Sequence, residues 1–558
     1  MIRITCLAVL WVAGAATAAA ALPRPAVTAG RGYVLGRFAY ADDKLSQAAR
    51  YFDAARKHDP ADLALGRRTF DLAIAAGDER LAIELANQLA GTNRGDSTVA
   101  LVRMADALKR RDWRAADAAR PSLSDAGYAA VVGPIVEAWT LAGRGNADAA
   151  ITLLDPAKFQ GFARSYVTEH RALLLSAARR YDLAAADYAV LMGGGAASVA
   201  RVRIGAANAL QGAGKIAEAT ALLDAAAGEA QIDAARVRLR AGKPVGGSVT
   251  EPRQGVAWLA VRLAADLARE KPVPLALVFA RVATFLAPDL PETWLIAGDV
   301  LARGGRPDAA IAAYARVPAG DALAAAARAR RALVLAEAGR DKAARTLLEA
   351  ATATATATSD DWVRLGDFDR KASRPADAAR AYDRAIATAV APNAAGWQLW
   401  FLRGSAYEQA NDWARAEPDL REALKLSPQE PVVLNYLGYA LLDRGLRLAE
   451  AQALIEAAAR LKPDDGFITD SLGWAYYRTG QFGKAVPALE LAVAAEPGDP
   501  TINEHLGDAY WRVGRKLEAR FRWRAALDLG PTAPQLATIR VKLDYGLDVA
   551  VAQIPAAR

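Results

Sequence analysis

Four glycines, Gly404, Gly438, Gly473 and Gly507, recur at steps of 34, 35 and 34 residues. Twelve or thirteen residues after each stands an alanine (Ala416, Ala451, Ala485, Ala519), followed by a second alanine (Ala423, Ala458, Ala492, Ala526) and a proline (Pro428, Pro463, Pro497, Pro531). A period of this length restricts the chain to stacked supersecondary units, because one unit of that size cannot bury its own apolar face. Small residues at the glycine and alanine positions let backbones approach closely, and large ones such as Trp400, Tyr407, Leu489 and Trp523 fill the space between. Proline lacks the N–H that would continue a helix, so it marks the handover between units. Gly480 and Gly514 fall at the turn inside a unit, where a left-handed residue is useful.

The same frame extends upstream. It gives Gly36, Ala48, Phe52, Ala55 and Pro60, then Trp294, Gly298, Ala310 and Tyr314, then Trp362, Gly366, Ala378, Tyr382 and Ala385. This pattern, W/L-x-x-L-G-x-x-Y followed by A, a large residue, A and P, resembles the tetratricopeptide repeat. The resemblance implies an all-α fold: a right-handed superhelix, or α-solenoid, of about fourteen helix pairs. The frame is strongest in the last four units and degenerate between residues 97 and 225.

Composition agrees with helix packed on helix. Apolar residues make up 53% of the chain, many of them alanine, and charged residues 24%. The N-terminus, MIRITCLAVLWVAGAATAAAALP, places one positive charge before an apolar run and A-x-A sites, which reads as a secretory signal peptide over 1–21. The rival reading is an uncleaved anchor. Cys6, the one cysteine, lies inside this leader and lacks the small-residue context of a lipoprotein signal, so the mature chain has no thiol chemistry. Expected segments are a degenerate N-terminal array (29–230), a Gly/Pro/Ser-bearing linker (231–252), a middle array (253–390) and a C-terminal array (397–531). A soft boundary at APNAAG (391–396) separates the last two, and a capping helix and tail (532–558) follow. ATATATAT (351–358) reads as an irregular extension between two units.

No catalytic constellation stands out. His58, His170 and His505 have no partner at metal-ligand spacing, and each reads as a surface or groove residue. QGAGKIAEA (211–219) lacks the first glycine of a phosphate loop and carries Ile216 where Ser or Thr is needed. In LEARFRWRAAL (517–527), Trp523 takes the large core position while Arg520 and Arg524 share a solvated face. The net charge of +8 is mild over 558 residues. The chain therefore reads as a non-enzyme without cofactor, metal or nucleic-acid partner.

In the repeat frame, positions 2, 5, 9 and 12 of each first helix face the concave side of the superhelix. Those positions carry Asn435 and Tyr439, then Asp470, Trp474 and Tyr477, then Glu504, Asp508 and Trp511. Aromatics, carboxylates and an amide along one groove suit an extended peptide or a partner helix. The alternative is that Trp474 and Trp511 are oversized packing residues between units.

The C-terminal run NYLGYALLDRG…DSLGWAYYRTG…NEHLGDAYWRVG, roughly residues 431–531, is similar to envelope tetratricopeptide proteins of Gram-negative bacteria of the LbcA type. That resemblance implies an exported, periplasmic and outer-membrane-associated adaptor that grips a carboxy-terminal processing protease and presents its substrates. The other functional class is a structural part of an envelope polysaccharide export or secretion apparatus.

Overall fold

A computed structural model describes residues 28–553, apart from 92–95, 124–127, 195–198, 270–273, 356 and 390–395. The expected leader with Cys6, most of the expected boundary at 391–396 and the last residues of the expected tail lie outside the described residues. Among the described residues there are 31 α-helices and no strand, and most follow one another as antiparallel pairs. The fold is all-α and built of repeated helix pairs.

The repeat glycine has a specific physical task. A Cβ on Gly473 would lie 2.5 Å from Leu489 Cγ, one on Gly366 2.6 Å from the Tyr382 ring, and one on Gly36 2.6 Å from the Phe52 ring. Each glycine on the first helix of a pair thus seats the large residue of the second, and Phe52, Tyr382, Leu489 and Trp523 are fully buried. The turn inside a pair needs a residue with positive φ. Glycine provides it at Gly214, Gly480 and Gly514, while Asp43, Arg111, Arg179, Ser373 and Asn411 adopt the same left-handed conformation elsewhere. The turn geometry is therefore fixed by helix packing even where the local sequence disfavours it.

The chain divides into two compact units, Met1–Arg340 and Asp341–Arg558. The division falls between Arg340 and Asp341. Residues 231–252 include most of a further helix, Ala230–Arg240, and two buried anchors, Val245 and Val249. Apolar burial ties this stretch to its surroundings despite its loop-like composition.

The second unit is a regular array in which each helix packs on its sequence neighbours. The first unit departs from that pattern. Helices Pro252–Leu267 and Pro274–Leu286 pack against Leu63–Ala76, Ser97–Lys109 and Ala129–Gly143, far away in sequence. Trp139 lies against Gly255, and Phe279 meets Tyr128 edge-on at 5.0 Å. The Arg281 guanidinium donates to the Ala75 carbonyl at 2.7 Å. Asp43 accepts from the Asp308 N–H at 3.1 Å, capping helix Pro307–Tyr314 from a turn 265 residues away, and Arg306 lies over the Tyr40 ring. The helices at 252–286 share one continuous core with the units before and after them.

Candidate functional site

In the second unit the first helices Trp397–Gln409, Pro431–Asp443, Gly466–Arg478 and Pro500–Arg512 follow one another, and Ala533–Tyr545 closes the row. The eight residues expected to face the groove separate into two groups.

Asn435, Tyr439 and Asp470 line an open cavity of about 490 Å³, together with Glu408, Asp443 and Phe467. The Asn435 Oδ1 is buried and has no hydrogen-bond partner among the described residues. A buried acceptor left unsatisfied is unfavourable by about 1–3 kcal/mol, which an N–H brought to it by a side-chain rearrangement of the cavity wall would recover. Burial, followed by the nearby Asp470 charge, pushes the Tyr439 hydroxyl well above its ordinary pKa and keeps it a neutral donor. Glu408 is held by Arg444 at 2.7 Å, whereas Asp443 is exposed and has no ion-pair partner among the described residues. The phenyl ring of Phe467, just over half exposed, adds apolar contact area.

The other five residues are engaged within the chain, as is Asp470 through His505. Trp474 is stacked between Tyr477, at 4.6 Å and 6° between planes, and His505, at 4.0 Å and 11°. Such stacks add about 0.5–1.5 kcal/mol each beyond burial. Glu504 and Asp508 are both buried and grip Lys542 Nζ at 2.6 and 2.7 Å. The second Asp508 oxygen accepts from Trp523 Nε1 at 2.9 Å. Trp511 donates to Asp548 at 2.9 Å and packs on Gly546, where a Cβ would lie 2.5 Å from the indole. Helices Ala533–Tyr545 and Leu547–Gln553 therefore cover this end of the row.

Sequence reasoning set aside two of the three histidines too lightly. His58 is exposed, but His170 and His505 are buried, which corrects the surface reading for both. Trp139 Nε1 donates to His170 Nδ1 at 3.1 Å, and burial pushes this imidazole down to about 3, so it stays neutral. His505 has the opposite fate. Burial opposes its charge, but Asp470, bonded to Nδ1 at 2.9 Å, more than offsets this with support from Asp508 and Glu504, and its pKa lies above the ordinary value. The signal was present in the period: Asp470 and His505 stand one repeat apart, at positions that stacking makes neighbours.

The sign of this shift sets a pH dependence. A raised histidine pKa contributes stability that is fully present below the unfolded value of 6.5 and is lost as pH rises through the folded value. The melting-temperature difference between the wild type and His505→Gln is expected to be largest at about pH 5–6 and to shrink toward alkaline pH. A difference that grows with pH would contradict the ion pair, whose surroundings (Asp470, Glu504, Asp508 and Lys542) are all accounted for above.

Among the described residues no group of His, Cys, Asp or Glu could hold a metal ion, and no helix is long and apolar enough to cross a membrane. The arrangement offers hydrogen bonding, aromatic contact and negative charge, which serve recognition.

The sequence matches the tetratricopeptide repeat family over residues 363–431, 401–466 and 471–534. It is 44% identical over 87 residues to the TPR repeat-containing protein PA4667 of Pseudomonas aeruginosa, a match that spans 16% of this chain and 15% of that protein. Among solved structures, a tetratricopeptide repeat protein from Parabacteroides merdae aligns with 15% identity and a TM-score of 0.38, over 45% of this chain and 98% of that one. The APC/C hetero-tetramer Cut9–Hcn1 aligns with 12% identity and a TM-score of 0.37, over 93% and 96%. Within residues 363–534, therefore, the chain carries tetratricopeptide repeats.

Proposed function

We propose that this protein is a non-catalytic scaffold of the bacterial cell envelope whose open groove holds an extended segment of a partner protein. The observation that carries the proposal is the unsatisfied Asn435 Oδ1 inside the cavity shared with Tyr439 and Asp470. A peptide N–H satisfies that oxygen once the side chains of the cavity wall rearrange, the Tyr439 ring supplies contact area, and Asp443 favours a basic side chain on the ligand. The leader-like N-terminus supports export to the periplasm, and the similarity of residues 431–531 to LbcA-type envelope proteins supports delivery of substrates to a processing protease.

The test is affinity capture from an envelope extract with tagged protein, beside an Asn435→Ala/Tyr439→Ala control, read by mass spectrometry. Trp474 and Trp511 are unsuitable as controls because both are engaged in internal contacts. The expected result is a processing protease and its substrates on the wild type, with the substrates lost from the control at an unchanged melting temperature. Identical captures from both baits would remove the groove from the mechanism. Polysaccharide synthase or export components in place of a protease would replace the adaptor reading with an export scaffold.

A further inference from the structure

In the first unit a second cavity, about 630 Å³, lies where the Asp43 turn, the end of helix Leu63–Ala76 and helix Pro274–Leu286 meet. Arg281 is part of its wall and is only 4% exposed. One of its terminal nitrogens donates to the Ala75 carbonyl, and among the described residues its Nε is buried without a partner and no carboxylate forms an ion pair with it; burial pushes its pKa down to about 10. A buried cation without a counter-ion is a large local penalty that folded proteins normally avoid.

The rest of the lining makes the imbalance larger. Arg50 and Arg316 also face the cavity, are exposed, and have no ion-pair partner among the described residues; Arg316 stacks on Trp294 at 4.8 Å. The three carboxylates on the wall are already committed. Asp43 caps Asp308 N–H, Asp308 pairs with Arg340 at 2.6 Å, and Glu79 pairs with Lys109 at 2.6 Å. Three guanidinium groups are left over around one opening.

We infer that this cavity binds a carboxylate group, seated against Arg281 with Arg50 and Arg316 at the rim and the Trp294 indole beside it. A planar guanidinium matches a carboxylate, and the nearby Asp43, Asp308 and Glu79 charges disfavour the compact double charge of phosphate more than carboxylates held apart on a carbon chain. The carboxylate is carried either by a free dicarboxylic acid or by an acidic side chain on a peptide. This site lies in the other unit from the peptide groove, so either assignment stands or falls without the other.

Isothermal titration of the purified protein tests it with four probes: succinate, acetyl-Gly-Phe-Glu-Gly-Glu amide, the same peptide with glutamine for glutamate, and inorganic phosphate. Binding of succinate or of the glutamate peptide, but not of the glutamine peptide, is expected, weakening as salt is raised. Saturation by succinate alone identifies a free acid; a preference for the glutamate peptide identifies an acidic segment. Arg281→Met is expected to weaken binding at least about tenfold. Arg50→Gln with Arg316→Gln changes only exposed side chains and is expected to weaken it about threefold or more with the fold intact. Absence of binding by both carboxylate probes at millimolar concentration, equal affinity in the wild type and both variants, or tighter binding of inorganic phosphate would overturn the assignment.

Discussion

Replacing Lys542 by methionine is expected to destabilise the second unit by about 3–5 kcal/mol, read as a lowered urea midpoint at neutral pH. The change leaves Glu504 and Asp508 in a buried site without their cation, and no other ion-pair partner of either stands among the described residues. Burial disfavours the Lys542 charge, but Asp508 and Glu504 more than reverse this and hold its pKa above the ordinary lysine value. By the linkage sign, a raised lysine pKa contributes fully at neutral pH and is lost only as pH rises through the folded value. In the variant the deficit should shrink in acid, because protonation relieves the two uncompensated carboxylates. Adding Glu504→Gln and Asp508→Asn to Lys542→Met should recover most of the stability, since two neutral amides can stay buried more cheaply than two charges. The amide oxygen introduced by Asp508→Asn still accepts from Trp523 Nε1. A loss below about 1 kcal/mol in the single variant would mean that helix Ala533–Tyr545 is not held by this cluster.

That cluster shows how far the sequence could be read. The period determined the helix pairs, and it marked Gly473 and Gly507 as close-approach positions and Leu489 and Trp523 as space-filling ones; the structure seats each large residue against its glycine. The period also suggested which residues stand at equivalent places on successive first helices. Whether such residues meet a ligand or each other depends on what covers them, and Lys542 sits beyond the last full repeat, where no period announces it. The same limit governs Trp474. Its aromatic neighbours Tyr477 and His505 are one turn and about one repeat away, yet a stack of three rings is a matter of rotamers, not of pattern. In the first unit the loss is greater. Helices Pro252–Leu267 and Pro274–Leu286 read as ordinary members of an array, but besides their sequence neighbours they also pack on helices more than a hundred residues upstream. Repeat spacing encodes neighbour packing and carries no information about helices that return to an earlier face. Arg281 and its cavity follow from that return, and for this reason no local motif marked them.

Gly255→Leu tests that return directly and is expected to lower stability by about 3 kcal/mol. A Cβ at this position would lie 2.1 Å from the Trp139 indole, inside the contact distance of any two carbons, and the Trp139 side chain is almost fully buried with no room to withdraw. Relief would require tilting helix Pro252–Leu267 away from Ala129–Gly143 or rotating Trp139, which breaks its hydrogen bond to His170. Either route opens the core that the two distant segments share. Gly133→Ala is the matched control: it lies on the same helix as Trp139, a Cβ there meets nothing within 4 Å, and the higher helix propensity of alanine should stabilise by up to about 1 kcal/mol. In an array where each helix touches only its sequence neighbours, residue 255 would have no reason to feel Trp139, and both substitutions would be mild. Urea midpoints of the two variants, with near-ultraviolet circular dichroism to follow the tryptophan environment, separate these cases. A Gly255→Leu midpoint equal to that of Gly133→Ala would remove the contact between residues 252–267 and 129–143 from the fold, and with it the framework that carries Arg281.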